Sequence, residues 1–341
     1  MTTAELCFAL ARENGTSGDE RAAKTTVQNL FAPYIPLEED VLGSLRGSCG
    51  SGKTKILLDA HLDRIGLVVT DIDEDGFLHV GKVGGVDARV LVGSEVIVYG
   101  TSPVYGVISS TPPHLQKDEQ KKDGVTLDSL TVDVGMTGAQ AAACISVGDR
   151  ISFAPQQCVL QGNRISSAGF DDRCGVAAIL KAVELVHAQL QNVTLCVQLS
   201  VQEEVTGSGA RTGAYAFAPD YAIAVDVGFG DDPFCEPRET IALGKGPSIG
   251  LSPVLDRGMT ETLKCLAKEN GIPFQHDVMS GRTGTNADQI NITRGGVRTA
   301  LLSIPERSMH TAVEVIDTED VDNTAKLLSA FILWKEASCN D

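Results

Sequence analysis

The stretch Val193-Thr-Leu-Cys-Val-Gln-Leu-Ser-Val201, followed at once by Gln202-Glu203-Glu204, decides how this chain is read. It is a short apolar run that reads as a buried strand and ends on two adjacent carboxylates. Before it, Val176, Ile179, Leu180, Val183, Val186 and Leu190 recur at the spacing of one helix face. Further buried-strand runs lie at Lys55-Ile-Leu-Leu-Asp59, Tyr221-Ala-Ile-Ala-Val-Asp226 and Thr299-Ala-Leu-Leu-Ser-Ile304. Two helices open the chain, and an amphipathic helix over Thr318 to Ala337 turns Val321, Leu328 and Phe331 inward. Apolar strands alternating with helices specify an α/β fold: a mixed, largely parallel sheet with helices on both faces.

Between about residues 65 and 160 the pattern changes. Leu67-Val-Val-Thr70, Phe77-Leu-His-Val80, Ser94-Glu-Val-Ile-Val-Tyr99 and Val104-Tyr-Gly-Val-Ile108 are short strands parted by turns such as Asp73-Glu-Asp-Gly76. They predict a small β-barrel or sandwich that closes near Asp149-Arg-Ile-Ser-Phe153. The polar run from Gln116 to Ser129 reads as a long exposed loop. The simplest plan is a discontinuous α/β domain, 1–64 plus 161–341, interrupted by a β-rich insert at 65–160.

With 45 acidic against 28 basic residues the formal charge is −17, which excludes nucleic acid and anionic membranes as natural partners. The nine cysteines are dispersed and never form C-x-x-C, so neither a disulfide framework nor a zinc knuckle is expected. Met1-Thr-Thr-Ala-Glu5 lacks the basic and apolar regions of a secretory signal, and the expectation is a cytoplasmic protein.

Five residues stand where a strand-like run gives way to a polar turn: His61, Asp171, Glu204, Asp226 and His310. In open α/β sheets, binding sites gather at the carboxyl ends of strands. Two histidines and three carboxylates suit zinc, cobalt or manganese. Two ions held close together need a bridging carboxylate, and five ligands with one shared leave open positions for substrate. Within Asp59-Ala-His61-Leu-Asp63, alternate residues of extended chain project to one side, so Asp63 is expected to accept the second imidazole N–H of His61. Taken alone, each residue has a plainer reading, since a carboxylate at a helix start is ordinarily an N-cap. The repeated boundary setting is what points to metal.

Three motifs are rejected on context. Gly47-Ser-Cys-Gly-Ser-Gly52-Lys53-Thr54 fits the P-loop pattern, but a strand follows it where a phosphate-binding helix is required, so it is read as a glycine-rich hairpin turn. Gly246-Pro-Ser248-Ile-Gly250 has a proline where a nucleophile elbow needs a free backbone. Asp71-Ile-Asp73-Glu-Asp75-Gly76 begins like a calcium loop but has Lys82 at its twelfth position.

DAHLDRIG at 59–66, SSAGFDDRCG at 166–175, VQEEVTGSGA at 201–210, AVDV at 224–227, GTNAD at 284–288 and IPERSMH at 304–310 resemble the tetrahedral (TET) metallo-aminopeptidases, also labelled glutamyl aminopeptidases or endoglucanases. DVGMTGAQAA at 133–142 is similar to the insert of that family. The resemblance implies a zinc-peptidase-like α/β domain with an inserted PDZ-like β-barrel that pairs subunits. Dimers would then build a homododecamer acting on peptides. It implies two divalent ions per subunit, zinc or cobalt with manganese as a third candidate. Asp171 would bridge, His61 and Asp226 would complete one site, and Glu204 and His310 the other. Glu203 would be the general base for water that cleaves the first peptide bond, with Asp63 beside it in the catalytic set. The alternative of another class is a non-catalytic scaffold that retains the fold. Arg64, the VTGSGA loop at Gly207 and Asn286 depart from the common family pattern, and the loops around Gly207 and Arg282–Asp288 are expected to border the substrate pocket. Arg282 is a candidate for favouring an acidic first residue, and equally for a surface or interface arginine.

Overall fold

The structure is a computed structural model that describes residues 1–112, 114–115, 124–233 and 235–339. Most of the expected loop at 116–129 therefore lies outside the described residues, and within its remainder Leu127–Ser129 forms a 3-10 turn.

Seventeen strands occur among the described residues. The first three are β1 (Glu38–Glu39), β2 (Leu45–Gly50) and β3 (Thr54–His61). Next come β4 (Gly66–Ile72), β5 (Leu78–Val83), β6 (Glu95–Tyr99), β7 (Pro103–Ser110), β8 (Leu130–Asp133) and β9 (Arg150–Phe153). The rest are β10 (Cys158–Val159), β11 (Arg164–Ser167), β12 (Val193–Ser200), β13 (Tyr221–Phe229), β14 (Ser248–Leu251), β15 (Gln275–Val278), β16 (Arg298–Arg307) and β17 (Glu314–Asp317).

Eleven of them make one mixed sheet in the order β1-β2-β12-β3-β13-β16-β17-β11-β10, with β14 joining β16 to β15. Its centre, β12-β3-β13-β16, is parallel throughout, and the strands outside it on the main path are antiparallel. Central strands buried on both faces read as unbroken apolar runs, as β3 and β12 do. Alternate residues of β3 divide between the faces. Ile56 and Leu58 pack with the helices Thr3–Arg12, Phe170–Val186 and Thr318–Ser338, while Leu57 joins Ala210 and Ala214 of the helix Ser208–Phe217. The last helix buries Val321, Leu328 and Phe331 as its periodicity predicts.

Strands β4 to β9 close into a separate barrel in the order β4-β5-β8-β7-β6-β9, the PDZ-like insert expected from the resemblance. Its core is apolar, with Leu67, Leu78, Val98, Val132 and Ile151 fully or almost fully buried. Arg64 lies at the seam between barrel and sheet. It is buried and donates to the carbonyls of Ala11 (3.3 Å) and Phe153 (3.4 Å), so this departure from the family pattern sits in packing rather than in the substrate pocket.

The glycine-rich turn at 47–54 is not a hairpin. Strand β12 inserts between β2 and β3, antiparallel to the first and parallel to the second. The connection therefore crosses the start of β12 closely. A Cβ on Gly52 would lie 1.7 Å from the Asn192 carbonyl oxygen, and one on Gly50 would lie 2.3 Å from that of Val193. Close passage explains the glycines, and no helix follows to receive phosphate.

Candidate active site

The parallel strands place their carboxyl ends side by side. His61 is the last residue of β3 and pairs with Ser200, the last of β12, from which the chain runs on to Glu203 and Glu204. The register Ala224↔Asp59 brings Asp226 of β13 level with His61. Beyond β16, residues 308–310 turn back over this edge, with Ser308 and His310 at φ of 55° and 62°, and Gln202 on the neighbouring turn at 64°. Left-handed backbone is uncommon for residues with a Cβ and gathers where geometry is imposed for function.

Asp171 enters from the helix Phe170–Val186, whose backbone is not helical at Asp171 and Asp172 and whose Asp171–Asp172 peptide is cis. The capping duty falls to Asp172, which accepts from the amides of Gly175 (3.1 Å) and His61 (3.2 Å). Asp171 is thereby free to present both oxygens to the site. Its Oδ1 lies 2.9 Å from His61 Nε2 and its Oδ2 3.1 Å from His310 Nε2. His61 Nε2 is also 3.8 Å from Asp226 Oδ1, and His310 Nε2 is 3.3 Å from Glu204 Oε2.

Donor atoms of His61, Asp171 and Asp226 all lie within 4.8 Å of one another, as do those of Asp171, Glu204 and His310. Each trio can hold one divalent cation through mixed nitrogen and oxygen donors, with Asp171 common to both. Glu204 Oε1 is buried without a hydrogen-bond partner, which fits a carboxylate that serves a cation.

The titration of these groups expresses the same charge balance. Burial works to lower the His61 and His310 pKa values, yet the bonds and charges of Asp171 and its neighbouring carboxylates hold His61 well above its usual value and His310 at about 11. Burial works to raise Asp171, and its bonds to the two histidines hold it below the ordinary carboxylate range. Burial drives Asp226 up to about 7 and Glu203 up to about 9, opposed by His61 and reinforced by the surrounding carboxylates. The pocket holds more carboxylate than two imidazoles can neutralise, an excess that divalent cations would redress.

Asp63 does not act as expected. The second imidazole nitrogen, His61 Nδ1, donates to the Asp63 backbone carbonyl at 2.8 Å, while the nearer Asp63 carboxylate oxygen is 3.8 Å away. That carboxylate instead accepts from the amides of Glu203 (3.0 Å) and Glu204 (3.3 Å) and from the Ser17 hydroxyl. It fixes the turn that carries both glutamates, because strand β12 ends there and leaves those amides without ladder partners.

Other residues escaped the sequence reading. Arg173, fully buried, donates to the carbonyls of Leu62 (2.7 Å) and Leu10 (2.8 Å) and braces the segment after His61. Glu314 accepts from the amides of Phe170 (2.7 Å) and Asp171 (3.4 Å). Gly85, in the barrel, offers its carbonyl to His310 Nδ1 at 3.2 Å, and a Cβ there would lie 2.7 Å from that nitrogen. The adjacent pair Gly84-Gly85 was the available signal for this approach.

A cavity of about 360 Å³ opens on the site, walled by both trios, Glu203 and Thr283–Thr285. The loop after Gly281 borders it as expected, but Gly207 and Arg282 do not. Gly207, at φ 68°, turns the chain into the helix Ser208–Phe217 and packs toward Gln289. Asn286 is buried beneath the wall, donating to Asp59 Oδ1 and Ser200 Oγ at 2.7 Å each.

Comparison with known proteins identifies the family of the chain. The family model for M42 glutamyl aminopeptidase matches residues 43–327. A lysyl aminopeptidase of Pyrococcus furiosus is 35% identical, covering 97% of both chains. The TET aminopeptidase of a marine-sediment Thaumarchaeota archaeon superposes with a TM-score of 0.92 at 29% identity over 99% of each chain. The TET1 peptidase of Pyrococcus horikoshii, described as assembling into a tetrahedron or a large octahedral shell, gives 0.86 at 31% identity over 97% of this chain and 99% of its own. The chain belongs to the M42 glutamyl aminopeptidase family, in its TET-type branch, and is an aminopeptidase.

Proposed function

We propose that this aminopeptidase removes residues from the N-termini of peptides with two divalent ions, one held by His61, Asp171 and Asp226 and the other by Asp171, Glu204 and His310. The observation that carries the proposal is the placement of Asp171, with one oxygen toward each histidine-containing trio. Such ions polarise a carbonyl and lower the pKa of nearby water. Glu203 belongs to neither trio, yet it lines the same cavity and its carboxyl has no hydrogen-bond partner among the described residues. It is therefore the group left to take a proton from water and return it to the departing amine. Asp63 is a positioning residue that holds the Glu203–Glu204 turn from behind. Zinc or cobalt suits the donor set, with manganese as a third option.

Dimers formed through the barrel, assembled into a homododecamer, complete the reading. A related TET1 structure contains a dodecamer, and on this chain β7 exposes Tyr105 and Val107 on one face. All nine cysteines are free, in keeping with a reducing cytoplasm. No helix among the described residues is long and apolar enough to cross a membrane.

The test is a panel of aminoacyl chromogenic substrates assayed on chelated protein before and after zinc, cobalt or manganese is restored. Restored release from free N-termini is expected. No release with any of the three metals would favour the scaffold reading.

A further inference from the structure

Beyond the two trios and Glu203, the wall of the catalytic cavity carries two charged side chains, Asp277 and Glu239, and both are acidic. Lysine and arginine are absent from the described lining. Asp277 lies on β15, and Met279, two residues on, lines the same cavity together with Ile241 and Phe229. The wall thus offers an apolar track and an isolated carboxylate. That carboxylate is half-buried and has no hydrogen-bond or ion-pair partner among the described residues, and burial raises its pKa without any cation to offset the effect. A partly desolvated carboxylate left unpaired is costly unless something that enters the cavity supplies the partner. Glu239 is exposed on the same wall and adds negative potential there.

We propose that Asp277 selects peptides whose first residue is lysine or arginine, the aliphatic stem lying on Met279 and Ile241 and the cationic head meeting the Asp277 carboxylate. Long basic side chains combine an apolar stem with a charged tip in this way. An acidic first residue meets repulsion from Asp277 and Glu239, which gives discrimination against the wrong substrate as well as attraction for the right one. The M42 description mentions glutamyl release, yet the exposed Arg282 that sequence reasoning offered for it stands outside the cavity wall.

This inference rests on the aminopeptidase reading, and one experiment separates the two. With metal-reconstituted full-length protein, kcat/KM is measured for lysyl, arginyl, leucyl and glutamyl p-nitroanilides, for wild type and for Asp277→Asn. Wild type is expected to prefer lysyl and arginyl over leucyl, with glutamyl last. Asp277→Asn should lower the lysyl-to-leucyl ratio by about ten- to hundredfold, the range of one charge-assisted hydrogen bond, and Glu239→Gln should lower it less. A general loss of folded enzyme leaves that ratio untouched. A wild type that favours leucyl or glutamyl overturns the inference alone. So does an Asp277→Asn enzyme with an unchanged ratio, the result expected if Asp277 held the α-amine common to every substrate. Absence of release from all four overturns the aminopeptidase reading and this inference with it.

Discussion

The sheet and the barrel bury different kinds of side chain. Inside the α/β part lie Asp59, His61, Asp63, Asp171, Arg173 and Glu314, all buried, whereas Ser152 is the one buried polar residue among the described residues of the barrel strands. Burying a charge costs several kcal/mol unless it is paired or binds metal. A fold keeps that burden where chemistry requires it, and the barrel has no such requirement. Its apolar interior serves closure, and its exposed Tyr105 and Val107 suit contact with another subunit. At the candidate site the two regions meet where the Gly85 carbonyl faces His310 and Gly84 lies against Glu204.

That division can be broken by substitution on either side. Glu203→Gln is expected to have the largest effect, lowering kcat by about 10²–10⁴-fold while metal content and thermal stability stay near wild type. Full turnover in this variant would remove Glu203 from the proton-transfer role. Leu78→Ala empties a position at the barrel centre and should cost about 2–5 kcal/mol in unfolding measurements, with activity per folded molecule retained. If that activity collapsed, the barrel core would be coupled to catalysis. Gly85→Ala sharpens the comparison, since the added methyl intrudes on His310 Nδ1. An activity loss of about 10- to 100-fold, typical of disturbed support behind a metal ligand, should come with little change in stability. Equal activity in Gly85→Ala would confine the barrel to assembly.

The apolar runs at 55–59, 193–201, 221–226 and 299–304 made the parallel centre of the sheet legible, because strands buried on both faces leave a continuous apolar record. Short edge strands left no such record: β10 has two residues and β15 alternates in exposure, so neither stood out. The position of β12 between β2 and β3 was equally hidden, since strand order depends on long-range pairing and the local glycines fit a hairpin just as well. The residues that form the two trios were visible as types at strand ends. Their supports were not, because Asp63 acts through the amides of Glu203 and Glu204, and His61 is oriented by a backbone carbonyl that no side-chain spacing encodes. Asp277 was missed for a related reason: only the pairing of β15 with β14 brings it to the cavity wall.

At the centre of this account is the claim that Asp171 is shared by two metal ions. It is tested most directly by the metal content of purified protein, measured by mass spectrometry after equilibration with zinc and removal of loosely bound ions. Two ions per chain are expected in wild type and fewer than one in a folded Asp171→Ala variant; two ions retained by that variant, or none bound by wild type, would contradict the claim.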